Sequence, residues 1–341
     1  MDTIDFVITW VDGSDPEWLC EKRKFIPDKQ IDITDDRIHR YRDYDLLQYW
    51  FRAVEKFAPW VNKVHFVTCG HKPSWLNLNC PKLNFVKHSD FMPEEFLPTF
   101  SSHPIELNLH RIKGLTDKFV YFNDDMFLSS SVKPEDFFDN GLPVYPALLH
   151  PILPIPDKGY EIMSHIFINM VTLINRNFNA KKSIKTNRDK WFNPFVNGMR
   201  TTIMNAFYSQ HLHFVGFYNE HLPSPTLKAT MEEVWECEKD TLYATSLNKF
   251  RGSSDVSPWL FRYWDLAAGN FSPVKVGKLG KRYRISKDST EICSAVTNQI
   301  HKLICINDTP ESLTADEFNH VINDIREAFD KIFPEKSSFE L

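Results

Sequence analysis

Between Ile4 and Val11 the chain reads Ile-Asp-Phe-Val-Ile-Thr-Trp-Val and then turns at Asp12-Gly13-Ser14. An apolar run of that length, closed by turn residues, predicts a buried strand. The period then changes. From Asp43 to Phe57 the residues Leu46, Trp50, Ala53, Val54 and Phe57 recur at helical spacing, and Pro59 stops the helix. Val61–Cys69 and Leu83–Lys87 read as further strands, Ile105–Ile112 as a short helix, and Lys118–Phe122 as a strand running into Asn123-Asp124-Asp125. Strands alternating with helices predict an α/β fold with a mainly parallel sheet. Ligands of such sheets collect beyond the carboxyl ends of the strands. The acidic turns Asp12–Asp15 and Asn123–Asp125 both follow strands and are expected to face the same side.

From about Tyr160 to Gly269 the pattern is helical. The expected segments are Tyr160–Asn175, Thr201–Ser209, Pro225–Cys237 and Pro258–Ala268. Leu303–Ile306 is a short apolar strand. Ala315–Phe333 is the clearest helix: Phe318, Val321, Ile322, Ile325, Phe329 and Ile332 form one stripe, Thr314 and Glu317 make a capping box, and Pro334 ends it. The tail beyond Pro334 is expected to be loose. The chain divides into an α/β core over 1–150, a mainly helical second part over 151–270, and a C-terminal strand and amphipathic helix over 271–341 that pack back on the core.

Composition narrows the function. A chain of 341 residues buries roughly 75% of its unfolded surface and needs no covalent staples. A net charge of −5 argues against a nucleic-acid binder, whose affinity comes from neutralising phosphates. The six cysteines include no C-x-x-C pair, which suits reduced thiols in a cytosol. The N-terminus lacks the basic start and apolar run of a signal peptide. No stretch approaches the roughly 20 apolar residues of a spanning helix. The expected location is cytoplasmic, at most against the inner face of the plasma membrane. Glycine is scarce, 11 against 21 prolines, and no glycine-rich phosphate loop occurs. Phosphate handling would fall to metal ions and arginines.

Asp124-Asp125, at the exit of a buried strand and beside a second acidic turn, suits a hard divalent cation such as Mg²⁺ or Mn²⁺. In isolation such a pair is more often only a turn. His221, in His221-Leu222-Pro223-Ser224-Pro225, is expected just ahead of a helix capped by Ser224, whose positive end would favour a neutral, proton-accepting ring. The plainer alternative is a capping or packing histidine. Arg251 stands between two expected helices, where it can clamp phosphoryl oxygens or merely pair with Asp255. Arg40, Arg42, Arg52 and Arg111 read as solvated or ion-paired unless the fold gathers them. The basic run Lys275–Lys287, with Tyr283 inside it, suits a solvated hairpin or peripheral contact with an anionic membrane or acidic glycan. Trp10 ends a strand at the expected ligand edge, where it can stack on a base or sugar.

These stretches together resemble the Stealth family, which includes bacterial capsule-polymer transferases and the catalytic subunit of the lysosomal-enzyme N-acetylglucosamine-1-phosphotransferase. The resemblance rests on four blocks. Ile4–Asp15 is the first. The second runs from about Arg40 to Phe127 and contains Ala58-Pro59-Trp60-Val61, Pro73-Ser74-Trp75-Leu76-Asn77, Leu97-Pro98-Thr99-Phe100-Ser101-Ser102, His110-Arg111-Ile112 and Phe122-Asn123-Asp124-Asp125. The third is His221-Leu222-Pro223 through Arg251 and Asp255, and the fourth Cys305-Ile306-Asn307-Asp308 with the helix ending Phe333-Pro334. Residues 151–218 match poorly, so acceptor choice is expected there.

The resemblance implies a Rossmann-like nucleotide-sugar-transferase core and assigns roles. Asp125 would be the main metal ligand, with Asp124 and Asp308 beside it. Thr9, Trp10 and Asp12 would line the nucleotide pocket, with Arg111 and Asn307 as further polar contacts. His221 would be the base and Arg251 the phosphate clamp. The implied reaction moves a hexose-1-phosphate or N-acetylhexosamine-1-phosphate from a UDP-sugar donor to a hydroxyl of an oligosaccharide acceptor, free or lipid-linked, and releases UMP with the help of Mg²⁺ or Mn²⁺. The alternatives are a metal-dependent glycosyltransferase that releases UDP, and a non-catalytic glycan-binding protein.

Overall fold

The first strand, β1 (Ile4–Thr9), is buried at every position but the last. Phe6 and Ile8 enter one core and Val7 the other. A strand covered on both faces needs no polar alternation, which is why this run is apolar but for Asp5 and the terminal Thr9. The computed structural model describes residues 3–26, 34–35, 44–155, 158–308 and 313–341. Arg40, Arg42 and Asp43, named above, lie outside them.

In chain order β1 is followed by α1 (Pro16–Arg23), α2 (Leu47–Phe57), β2 (Val64–Thr68), β3 (Leu83–Lys87), α3 (Ser102–Leu107), β4 (Lys118–Phe122) and β5 (Met126–Leu128). The second half contributes α4 (Lys158–Asn177), α5 (Ala180–Thr186), α6 (Met199–Tyr208), β6 (Ser224–Leu227), α7 (Lys228–Cys237) and α8 (Trp259–Ala268). The chain then ends with β7 (Gly280–Arg284), β8 (Leu303–Asn307) and α9 (Ala315–Ile332). The main sheet has the order β3-β2-β1-β4-β6. Its first four strands are parallel, and β6 closes one border antiparallel to β4. This is the expected α/β class with a Rossmann-like, mainly parallel core. One face is covered by α2 and α9 through Trp50, Val54, Ile325 and Phe329, and the other by α4, α7 and α8 through Ile166, Val234 and Trp264. A smaller sheet, β7-β8-β5, pairs the C-terminal strands with the chain just after β4.

The structure corrects four expectations. Ser224-Pro225 opens no helix: it lies in β6, and helix α7 begins only at Lys228. Proline is tolerated in a sheet only where its missing N–H is not needed, and Pro225 sits on the border strand with its carbonyl accepting from the Tyr145 hydroxyl. The basic run is no hairpin, because Gly280–Arg284 pairs in parallel with β8, Arg282 opposite Cys305. Tyr283 turns into the core, while Lys281 and Lys287 reach Glu291 and Glu317. The tail beyond Pro334 is docked. Phe339 is buried, and Glu340 accepts from Arg52 Nε at 2.9 Å and Nη2 at 2.7 Å. A single apolar residue has no period, so the pattern could not reveal it. The expected helix at Ile105–Ile112 starts earlier, as α3, and continues as a 3₁₀ turn over Leu109–Arg111.

All six cysteines are free thiols. Among the described residues no helix is long and apolar enough to cross a membrane.

One charged residue interrupts β1. Asp5 is 0% exposed, as is its partner His65 on β2, 2.9 Å away. Asn62 Nδ2 at 2.8 Å, Lys63 N at 3.1 Å and Thr116 N at 3.0 Å complete its shell. Burial alone would raise this carboxyl, but those donors outweigh it and hold it below its ordinary 3.8. Asp5→Ala strands several buried donors and is expected to cost about 3–5 kcal/mol, read as a lower denaturant or thermal midpoint. The sign follows from linkage. The contribution is complete above the ordinary carboxylate value and drains away as pH falls through the lower folded one, so the gap to wild type narrows in acid.

Candidate active site

A cavity of about 700 Å³ opens beyond the carboxyl ends of β1 and β4. Thr9, Trp10 and Val11 form one wall, Asn123, Asp124 and Asp125 the next, and Asn307 and Asp308 a third. The helical part closes it with Met163 and Phe167 of α4, Asn219, His221 and Arg251. Segments distant in sequence therefore meet where parallel-sheet geometry predicts a ligand.

Asp125 holds these segments together. The β4–β5 turn is tied by Met126 N donating to Asn123 O at 3.1 Å, and Ile306 N donates to the Asp125 carbonyl at 2.8 Å. The pairing of β5 with β8 thus delivers Cys305 and Asn307 to the Asp125 side chain. Its Oδ2 accepts from Asn307 Nδ2 at 3.1 Å, Cys305 Sγ at 3.3 Å and His221 Nε2 at 3.3 Å. Burial would raise the Asp125 carboxyl, yet the His221 charge and these hydrogen bonds pull it below the usual range, so it is ionised. A carboxylate can only accept, so His221 donates from Nε2, and Nδ1 is the ring nitrogen left to exchange a proton with a ligand. This overturns the expected electrostatics of His221: no helix begins behind it, and the group that orients the ring is Asp125. Trp259 stands edge-on to the ring, with centroids 6.0 Å apart.

The donor chemistry around Asp125 fits a hard cation. Asp125 Oδ1 is buried and has no hydrogen-bond donor among the described residues. The Asp124 and Asp308 side chains line the same cavity. The phenol of Tyr44 is raised well above 10.0, first by burial and then by the charges of Asp308, Asp125 and Asp124, so all three carboxylates act on this one side chain of the cavity wall. Several oxygen donors, one of them lacking a proton partner, are what Mg²⁺ or Mn²⁺ takes. Asp125, His221 and Cys305 also form a mixed cluster whose ligand atoms lie within 4.8 Å of one another. Burial and the Asp125 charge push the Cys305 thiol well above 9.0, and it donates to Asp125.

Cations line the same cavity. Arg251 Nη2 donates to Ser102 Oγ at 3.2 Å and Nη1 approaches Met163 Sδ at 3.6 Å. Asp255, the alternative partner, accepts from Asn248 Nδ2 at 2.6 Å and Gly252 N at 2.9 Å. Arg282 of β7 also lines the cavity. It was hidden in the sequence inside a basic run, although the alternation of buried Tyr283 with exposed Arg282 and Arg284 is the signal of a one-faced strand.

Glu106 was missed altogether. It is a buried carboxyl on the cavity wall, hydrogen-bonded to Ser102 and Tyr121 and facing the charges of Arg251 and His221. Burial raises it above its ordinary 4.5 despite those partners. Tyr121 in turn shares a 2.8 Å hydrogen bond with Thr9 Oγ1, linking β1, β4 and α3 across the cavity floor. Its sequence signal was an acid among Ile105, Leu107 and Leu109 in a short apolar helix.

The expected site residues divide as follows. Thr9, Trp10, Asp124, Asp125, His221, Arg251, Asn307 and Asp308 all line the one cavity. Trp10 packs against Phe66 and His71, and its Nε1 finds no acceptor among the described residues. Two candidates are not brought in. Asp12 folds its own turn, accepting from Ser14 N at 2.9 Å and Ser14 Oγ at 2.6 Å. Arg111 lies over the Trp235 ring at 4.9 Å and donates to Asn108 Oδ1 at 2.9 Å, away from the cavity.

The chain is similar to known proteins along its whole length. Residues 2–30 match "Stealth protein CR1, conserved region 1", and residues 40–144 match "Stealth protein CR2, conserved region 2". The capsular polysaccharide phosphotransferase WcwK of Streptococcus pneumoniae is 43% identical over 342 residues, 100% of this chain and 98% of that protein. The receptor polysaccharide phosphotransferase WefC of Streptococcus oralis is 38% identical over 345 residues, covering 100% of both. The exopolysaccharide phosphotransferase cps2G of Lactiplantibacillus plantarum is 38% identical over 338 residues, 99% of this chain and 96% of that protein.

The two arginines give the cavity a direct test. Arg282→Ala is expected to weaken binding of a nucleoside diphosphate by about tenfold or more, as loss of a charge-assisted hydrogen bond does. Arg111→Ala leaves that affinity unchanged. Isothermal titration with UDP and Mg²⁺ reads both.

Proposed function

The chain belongs to the Stealth family, and on that premise we propose that it is a sugar-phosphate transferase acting in cell-surface polysaccharide synthesis. The donor is a UDP-hexose or UDP-N-acetylhexosamine, and the acceptor is a glycan hydroxyl. The observation that carries this reading is the meeting of a carboxylate turn, an oriented histidine and two arginines in one cavity large enough for a sugar nucleotide.

In the proposed step the acceptor hydroxyl gives its proton to His221 Nδ1. Its oxygen forms a bond to the β-phosphorus, and the bond from that phosphorus to the bridging oxygen breaks. The electron pair leaves with UMP, and a sugar–phosphate–sugar diester remains. Asp125 fixes the histidine tautomer through Nε2, as the acid of a catalytic triad does for its histidine. Arg251 and Arg282 hold phosphoryl oxygens, and the work is chiefly positioning and charge stabilisation. A divalent cation held by Asp125, Asp124 and Asp308 would supply neutralisation of the diphosphate and its leaving phosphate. Glu106, through Tyr121 and Ser102, steadies Thr9 and Arg251 at the cavity floor. Trp10 offers an aromatic wall and an indole donor to the nucleotide or sugar.

The experiment is product analysis with a panel of UDP-sugars, Mg²⁺ and an oligosaccharide acceptor. UMP is the expected nucleotide product, with turnover falling at least about a hundredfold in His221→Ala and Asp125→Asn. Release of UDP would mean attack at the anomeric carbon and replace this reading with a glycosyltransferase. Glycan binding that survives in both variants, with no nucleotide released by wild type, would make the protein a glycan binder.

A further inference from the structure

Helix α6 is inverted. Its buried positions are the polar Thr201 and Asn205, while Met199, Ile203 and Phe207 are 65%, 62% and 67% exposed. Asn205 holds the helix in place: Oδ1 accepts from Leu149 N at 2.8 Å, and Nδ2 donates to Ala147 O at 2.7 Å and Trp191 O at 2.8 Å. The helix is thus fastened by its polar side. The three exposed apolar residues, four apart, form one ridge. Phe195 in the turn before the helix is 98% exposed, and Leu212 after it is 62% exposed. Single exposed apolar residues are ordinary; a row of five at one helix is not.

The surrounding charge points to the occupant. Residues 180–219 carry six cationic side chains (Lys181, Lys182, Lys185, Arg188, Lys190 and Arg200) against Asp189 alone, in a chain whose net charge is −5. Lys181, Lys182, Lys185, Arg188 and Arg200 are exposed. Lys275 reaches over Gly198 at the head of α6, its Cε 3.7 Å from where a Cβ would stand. An apolar ridge with Arg200 on its own helix and Lys275 at its head, in a locally basic stretch of chain, is the composition of a surface that lies in the headgroup layer of an anionic bilayer. A second copy of this chain fits poorly, because a two-fold contact through α6 would bring like charges together.

We propose that α6, with Phe195 and Leu212, is a membrane-resting surface that seats the protein on anionic lipid. The cavity lies close behind it. The chain leaving α6 is bonded to the rim, Ile152 N to Val215 O at 3.3 Å and His150 N to Gly216 O at 3.1 Å. Leu153 and Ile155 on that rim are themselves exposed and line the cavity. The inference does not depend on the reaction, since vesicle binding is read without turnover.

The test is flotation of the full chain with vesicles of phosphatidylcholine alone and of phosphatidylcholine with phosphatidylglycerol. Wild type is expected to partition at least about tenfold better into the anionic vesicles. Ile203→Glu with Phe207→Glu is expected to remove at least about tenfold of that binding, with the thermal midpoint unchanged because both positions face solvent. Lys181→Gln with Lys182→Gln and Lys185→Gln, all exposed, is expected to lower anionic binding and leave the phosphatidylcholine value unchanged. Wild type that floats with neither vesicle overturns the proposal, as does a glutamate variant that binds like wild type. Light scattering that finds a wild-type dimer, dissociated by the glutamate pair, would assign α6 to self-association instead.

Discussion

A single buried anion organises this molecule's working end. Asp125 sits where β4 turns into β5, and its Oδ2 receives donors from His221, Cys305 and Asn307. Those residues are 96, 180 and 182 positions away along the chain. An ionised carboxylate in a dry setting is costly unless its lone pairs are satisfied, so every segment that supplies a donor is pinned. The small β7-β8-β5 sheet exists at that place because Asp125 O and Ile306 N close its ladder. The cavity follows from that closure.

The same constraint explains how phosphate chemistry can proceed without a glycine-rich cradle. In the proposed site the part of backbone amides falls to arginine side chains from two unrelated segments, Arg251 after the helical part and Arg282 on β7, with acidic groups lining the same cavity. Such a division suits a diphosphate lying between opposite charges, with the guanidinium forks on its oxygens. The buried Thr9–Tyr121–Glu106 chain forms a polar floor whose members are each hydrogen-bonded, so the floor is stiff.

Much of this was legible in the residues. Strand after apolar strand ended in a turn, and the acidic turn after Phe122 could be placed at the ligand edge from periodicity alone. What misled was local ambiguity. Ser224-Pro225 satisfies the rules for a helix start and for a border strand equally, and only the sheet's need for a partner beside β4 decides between them. Asp12 reads as a ligand but folds its own turn, because a short carboxylate two residues ahead of a serine is well placed to cap it. Arg111 belongs to a recognisable block yet stacks on Trp235, a residue more than a hundred positions later that no local window sees. Glu106 and Arg282 escaped because each was embedded in a run of another character, apolar in one case and basic in the other.

The strand that follows His221 has a further consequence. Pro225 turns its carbonyl to Tyr145, so the side of β6 away from β4 carries a ring in place of a hydrogen-bond donor. Any foreign extended segment approaching there meets an interrupted ladder. The sheet's border is therefore self-terminating, and crowding many copies together gains little from edge-to-edge stacking into fibres.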